Sequence, residues 1–486
     1  MEASPLYLEP RLEPRLGALL RSADLLHSLV DALGSPLNLL LPAQLAENVA
    51  RFRAIYRKHR LSGGILFAHK ANRSSALVRQ LAASEAGLDV GSLAELRHGL
   101  GAGLAPDRIT ATGPKTPEFL WLAARTGVLV NIDSRGELEA LAALVRKHAL
   151  PPARITLRLS GFQGPGATVL TRPSRFGTRP AELDDLLDAV EGHRDTTELV
   201  GVGYHLDTVG LPEKAVALEA CVRAMNECRR RGLRPRVIDI GGGFGVNYLA
   251  HPEQWERYTS ELANAVLGRR PALTWQGHGY GLRGESGTLR GTLGLYPAHR
   301  PVAAERYLDE LLSSQAPTLG RPLATLLLEN LYDLAIEPGR ALVDQCGAVL
   351  ATVLEVRRTP EGDPLVRLGL NAGDIGLEAH GVLMDPLLVP RDGGVPKTGP
   401  VGVYLAGNLC LESDLITRRM VFLPGLPAPG DLLAFANTAG YCMDFGAHHA
   451  MRQPVARTVA VDRADGSWRW WLDTQYWPIF ATGEQS

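Results

Sequence analysis

ILFAHKAN, residues 65–72, is an apolar run that stops on a histidine, a lysine and an asparagine. Read alone, it is a buried strand of a few residues followed by a polar turn. The arrangement then repeats. Short apolar runs cover Ile65–His69, Gly87–Val90, Arg108–Thr112, Val128–Ile132, Ile155–Leu159, Leu199–His205, Val237–Ile240 and Thr325–Glu329, each followed by a stretch with helical spacing. Eight β–α units with mostly short connections predict a closed parallel (β/α)8 barrel with helices outside, in preference to an open doubly wound sheet.

Outward from the barrel, residues 21–34 and 43–60 have helical patterns, and residues 1–20 read as an arm or edge segment. Past residue 340 the texture changes. Alternating runs at Val349–Val356, Leu365–Leu370, Val401–Ala406 and Leu432–Asn437, broken by Pro, Gly and Asp, predict antiparallel strands in an all-β domain. Three parts are expected: residues 1–44 packing with the C-terminal domain, the barrel over 45–340, and the β domain over 341–486. Residues 246–324 fit neither pattern. They are too long for a plain β–α loop and read as an insert: a lid over the site, an interface arm or a mobile segment.

The 486 residues carry 51 Lys and Arg against 52 Asp and Glu, which leaves no general attraction to nucleic acid or to an anionic membrane. The five cysteines (Cys221, Cys228, Cys346, Cys410, Cys442) form no C-x-x-C pair, so neither a disulfide framework nor a structural zinc is expected and a reducing cytoplasm fits. No signal peptide precedes the first helix, and no run of about 20 apolar residues could span a bilayer. His448 and His449 lack a third ligand at useful spacing, so no metal site is expected. Gly279-Tyr-Gly-Leu-Arg-Gly284 matches G-x-G-x-x-G but follows no strand, and reads as a loop.

In a barrel the chemistry sits at the C-terminal ends of the strands. Lys70 ends the first run, and there an apolar strand lining the barrel should keep the amine from water. Burial and cationic neighbours would lower its pKa and free it to attack a carbonyl. Asp89, Asp133, Arg158 and His205 sit at or near the ends of later runs. The glycines of RVIDIGGGFGVNY, residues 236–248, offer backbone N–H groups to an anion or simply make a tight strand-to-helix turn. Arg340 could balance that anion, and Glu337 lies three residues before it. A lysine, a carboxylate and an anion cradle at one mouth are what an aldehyde cofactor with a phosphate requires.

The motifs together resemble the pyridoxal-phosphate amino-acid decarboxylases of the alanine-racemase barrel type, the group of diaminopimelate, ornithine and carboxynorspermidine decarboxylases. They are HKAN at 69–72, LDVGSLAEL at 88–96, GPK at 113–115, NIDSRGEL at 131–138, SRFG at 174–177, GYHLDT at 203–208, DIGGGFG at 239–245, EPGR at 337–340, GNLCLESD at 407–414 and GDLL…GY at 430–441. The resemblance runs from about Leu25 to about Pro454. It implies pyridoxal 5'-phosphate held by Lys70 as a Schiff base, with His205 stacked on the ring and Glu337 paired with the ring nitrogen. It implies a phosphate held by Gly242, Gly243, Arg340 and Thr208, helped by Tyr441, with Asp89 and Arg158 close to the lysine. It also implies a homodimer with active sites at the interface, Cys410 entering from the partner subunit to protonate the product carbon.

Departures from the family concern the substrate. Leu411 follows the cysteine where diaminopimelate enzymes have an acid, and Glu412 comes one place later. Ala379 and Leu383 stand where those enzymes carry an Arg…Tyr clamp for the distal carboxylate. Gly203 replaces the first histidine of H-x-H, and Thr208 replaces a serine. The expected reaction is α-decarboxylation of an amino acid, basic or diamino, as a small-molecule substrate, with Glu412 and Asp414 reading its far end. Racemisation on the same cofactor, or a regulatory protein that binds it without turnover, are the alternatives. Racemases of this barrel usually offer a tyrosine where Cys410 stands.

Overall fold

Serine and threonine caps punctuate the barrel. In the computed structural model, which describes residues 5–162, 174–206, 210–394, 398–443 and 445–478, the side chains of Ser74, Ser92, Thr116 and Ser134 each accept a backbone N–H three residues on. They open the helices Ser75–Ala82, Leu93–Gly101, Pro117–Thr126 and Arg135–Lys147. Such a cap satisfies a donor the helix start would leave orphaned, and losing one costs about 1 kcal/mol.

Between these helices lie eight parallel strands in sequence order: β1 (Leu66–Ala68), β2 (Gly87–Val90), β3 (Ile109–Ala111), β4 (Leu129–Ile132), β5 (Ala153–Leu159), β6 (Thr197–Tyr204), β7 (Val237–Asp239) and β8 (Asp333–Ala335). A parallel bridge between Ile65 and Ile336 brings β8 back to β1, with Leu66 N–H donating to the Ile336 carbonyl at 2.8 Å. The ring is thereby closed, as the sequence predicts.

The eighth strand differs from its expected place. Thr325–Glu329 lies within a helix, Leu323–Glu329, and the strand is the three residues Asp333–Ala335. Leucine, alanine and glutamate are strong helix formers, and LATLLLE holds a single β-branched residue.

By its contacts the chain divides into two units. One takes Leu45–Gly245, Val302–Leu342 and Trp477–Ser486; it holds the barrel. The other takes Met1–Gln44, Val246–Pro301 and Val343–Tyr476. The stretch 246–324 thus divides at Pro301. Its first part, with the helix Pro252–Val266 and the hairpin Leu282–Glu285/Thr288–Gly291, groups with the sheet unit, and its second part returns to the barrel as the helix Ala304–Ser313. The glycine-rich G-x-G-x-x-G stretch leads into that hairpin.

The second unit is mostly sheet. Its strands run in the order Leu415–Leu423, Val401–Ala406, Pro364–Leu368, Gly347–Arg358, Leu37–Leu40, Arg457–Ala464 and Ser467–Leu472, and Leu432–Ala436 adds to Gly347–Arg358. The expectation of antiparallel strands needs correction at two pairs. Pro364–Leu368 lies parallel to Val401–Ala406, and Leu37–Leu40 parallel to Arg457–Ala464. Parallel neighbours need a long crossover, and residues 369–400 supply one for the first pair.

The helices Pro14–Leu20 and Ala23–Leu33 bury Leu16, Leu19, Leu26 and Leu29 against Leu37, Leu350, Leu432 and Val459 of the sheet. Each such leucine contributes roughly 1.5–3 kcal/mol by leaving water. One buried ion pair joins all three segments of this unit: Arg419 binds Asp385, Asp385 accepts Leu8 N–H at 2.6 Å, and the guanidinium lies 5.3 Å from the Tyr258 ring centre.

Candidate functional site in the barrel mouth

Beyond β1 the chain turns at once. The 3-10 turn His69–Ala71 carries Lys70, and the buried Asn72 side chain accepts Ser74 N–H at 2.9 Å, fixing the turn to the cap of the next helix. Lys70 is exposed, which corrects the expectation that an apolar strand would keep it from water. It lies two residues past the end of β1, clear of the layers that fill the barrel. The buried neighbour His69 has its Nε2 2.8 Å from His98 Nδ1, and Glu95 Oε1 lies 3.2 Å from its Nδ1.

Three carboxyl groups converge below this turn. Asp89 on β2 is 3% exposed and accepts the Thr112 hydroxyl at 2.6 Å. Asp239 ends β7 and accepts Gly241 N–H at 2.8 Å. Glu337 follows β8, and its own N–H donates to the Gly241 carbonyl at 2.9 Å. Burial pushes all three carboxyls up. The Glu337 charge adds to the shift of Asp239, and the Asp89 charge to those of both; Lys70 pulls Asp89 and Glu337 back, as Arg158 and a hydrogen bond with Asp239 do Glu337.

His205, just past β6, sits over this floor with Nδ1 3.8 Å from Glu337 Oε2. That nitrogen accepts Gly242 N–H at 3.3 Å, which requires its lone pair and a neutral ring. Burial and the charges of Lys70, Lys214 and Arg158 agree, pushing the imidazole down to about 3. Arg158 on β5 lies 3.6 Å from Asp133 Oδ1 with its guanidinium 4.7 Å from the Phe176 ring centre. Arg340 is half-buried beyond Glu337. Thr208 lies outside the described residues.

Gly241 has φ +62°, and a Cβ there would come 2.5 Å from the Tyr204 carbonyl oxygen; one on Gly242 would meet the Glu337 carbonyl oxygen at 2.8 Å. Only glycine lets this turn pass so close to its neighbours.

The remaining candidates belong to the sheet unit. Cys410 and Glu412 are exposed on the loop Gly407–Asp414. Asp414, expected to read the substrate, is 6% exposed, and its two oxygens accept Ala372 N–H at 2.8 Å and Leu409 N–H at 2.7 Å. Its carboxylate shapes the loop from inside. Tyr441 has φ +68°, with the His380 and Phe445 rings each 5.8 Å from its own.

A family model for the pyridoxal binding domain of pyridoxal-dependent decarboxylases matches residues 43–287. The chain belongs to this family. An uncharacterized protein of Sinorhizobium fredii is 32% identical to this decarboxylase over 442 residues, 89% of either chain. The diaminopimelate decarboxylase of Methanothermobacter thermautotrophicus is 25% identical over 444 residues, 89% of this chain and 88% of the relative. In fold, the decarboxylase is similar to the crystal structure of diaminopimelate decarboxylase from M. jannaschii in complex with L-lysine, with a TM-score of 0.67, 18% identity and coverage of 90% and 89%.

The residues at the barrel mouth of this pyridoxal-dependent decarboxylase fit the cofactor. A carboxyl group stands buried beside a neutral imidazole, and a glycine turn leaves no side chain in the way.

Sequence reasoning missed three members of the site. Asp239 sits inside a motif read only for its glycines. Lys115, from the motif GPK, is fully buried, donating to the Gly113 and Asn131 carbonyls at 2.8 and 2.6 Å and to Glu137 at 2.8 Å. Lys214 is 1% exposed and donates to the Gly242 carbonyl. Its signal was available: a lysine in the first turns of a helix opposes the helix dipole and needs a reason to be there.

Proposed function

We propose that this decarboxylase removes the α-carboxylate of a basic or diamino acid, with Lys70 the residue that holds the cofactor covalently. The observation that carries the reading is the buried Glu337 carboxyl 3.8 Å from His205, at the mouth that also holds Lys70. Bound pyridoxal phosphate supplies the sink for the electron pair left when the carboxylate departs.

The chain's own groups do the rest. Glu337 would hold a proton on the ring nitrogen of the bound cofactor, and the neutral His205 beside it would not compete for that proton. Gly242, Gly243 and Arg340 would hold the phosphate, with Thr208 and Tyr441 the further residues that the family resemblance assigns to it. Asp89 and Arg158 set the charge around the Lys70 amine. Cys410 of the partner subunit, in a homodimer, gives its Sγ proton to the α-carbon.

Glu412 is the acid left to meet a cationic far end, since Asp414 is spent on its own loop. The names of the relatives, diaminopimelate decarboxylase, support a substrate with a second amine. The apolar Leu411, Ala379 and Leu383 argue against the distal carboxylate of diaminopimelate itself.

The test is incubation of the holoprotein in heavy water with L- and D-lysine, ornithine, arginine and diaminopimelate, with products read by mass spectrometry. Loss of CO2 with one deuterium gained at the α-carbon, and a borohydride-fixed adduct on the peptide containing Lys70, are the expected results. Deuterium gained with the carboxylate intact would mean racemisation, and an adduct on another lysine would remove Lys70 from its role.

A further inference from the structure

Lys214 has no part in the reading above, and yet it is placed with care. It lies on the helix Leu211–Arg230 after β6, four residues in, where the helix dipole disfavours a cation. The side chain is 1% exposed. Its amine donates to the Gly242 carbonyl and stands 5.8 Å from the ring centres of both Tyr204 and Phe244. Tyr204 in turn donates its hydroxyl to the Lys214 carbonyl at 3.1 Å, which fixes the helix start to the strand end. The charged groups that face the amine are Glu337 and Asp239, and its own charge acts on His205. Burial outweighs the two acids and pushes the lysine down to about 8.

The consequence follows from peptide geometry. A trans peptide is planar, so its C=O and the following N–H point in opposite directions. Holding the Gly242 carbonyl against a buried amine therefore turns the Gly243 N–H to the opposite face of the glycine turn. Gly241 and Gly243, at φ +62° and +83°, let the chain adopt that orientation.

We propose that Lys214 is a positioning residue for the cofactor's phosphate: it holds the Gly242 carbonyl from behind, aims the Gly243 N–H at the anion, and places a fixed cation behind the cradle. The proposal rests on the reading that the glycine turn receives the phosphate. It assigns Lys214 to the phosphate alone, apart from the aldehyde chemistry at Lys70.

The test compares equilibrium binding of pyridoxal phosphate and of pyridoxal, which lacks the phosphate, to apo wild type, Lys214→Met and Lys214→Arg. Lys214→Met should weaken pyridoxal phosphate about 10- to 100-fold, the range of a hydrogen bond to a charged group, with pyridoxal little changed and Lys214→Arg recovering part of the loss. Equal weakening of both ligands, or of neither, would overturn the proposal.

A second measurement needs no variant. The wild-type preference for pyridoxal phosphate over pyridoxal should fall as pH rises through about 8, where Lys214 loses its proton while the phosphate, whose second pKa is about 6, stays a dianion. A preference flat with pH overturns the fixed cation behind the cradle, while the hydrogen bond to Gly242, which a neutral amine also makes, stands or falls with Lys214→Met. A wild type with no preference for the phosphorylated ligand overturns the cradle reading itself.

Discussion

Replacing Glu337 by glutamine keeps the shape of the barrel floor and removes one of its three acids. Burial pushes this carboxyl up to about 8 from an ordinary 4.5. A folded pKa above the unfolded one means that the folded chain keeps a proton which the unfolded chain has lost. The stability it contributes is present below about pH 4.5 and is lost as pH rises through about 8. Urea denaturation of the apoprotein should thus show stability falling between about pH 5 and 8, and E337Q should fall less steeply. In the holoenzyme the same substitution should lower kcat by on the order of 10²-fold, the effect of removing one preorganised group that meets developing charge. At this scale the sequence singles out positions where a residue type is rare for its setting, as with a lysine after ILFAH. Exposure was not readable, because two residues past a strand end decide between a packed layer and an open mouth.

Among the elements, Lys115 and Glu137 tie the loop after β3 to the helix after β4. The amine is fully buried, with two carbonyls and a carboxylate around it. Removing one partner of such a pair leaves an uncompensated charge, so Lys115→Met should cost about 3–5 kcal/mol of stability, measured by chemical denaturation. Replacing Lys115 and Glu137 together by apolar residues should cost less than Lys115→Met alone. The first seven barrel strands were legible because β-branched runs alternate with capped helices. The eighth was not, since three residues carry too little pattern and a leucine-rich helix stands just before them. The parallel pairs of the sheet unit were hidden for another reason: alternation marks a strand but does not say which neighbour it takes or in which direction.

For the whole molecule, the proposed dimer makes a sharp claim. If Lys70 acts in one subunit and Cys410 comes from the other, Lys70→Ala and Cys410→Ala are each inactive alone. Mixed and allowed to exchange subunits, they should recover roughly a quarter of wild-type activity, because half the dimers are hybrids with one intact site of two. Absence of recovery, with exchange confirmed by mass spectrometry, would place both residues in one subunit's site. The organisation into two units was partly legible, in the change of texture near residue 340. The return of residues 246–301 to the sheet unit was not, because its partners lie far off in the sequence.

Those distant partners matter while the chain is being made. Leu37–Leu40 is made about 300 residues before its first partner, pairing with residues 347–350 on one side and 457–460 on the other. The first helices, Pro14–Leu20 and Ala23–Leu33, wait with it, their leucines without a complete sheet to cover until residues 457–461 have been made. Meanwhile the first seven strands of the barrel can assemble behind them, but the ring lacks Asp333–Ala335 until the excursion through residues 246–301 has been synthesised. Until those partners are made, the nascent chain therefore carries uncovered apolar helices and an open barrel edge, the condition under which holding factors prevent aggregation. An added chaperone should raise the soluble yield more than any gain in final stability.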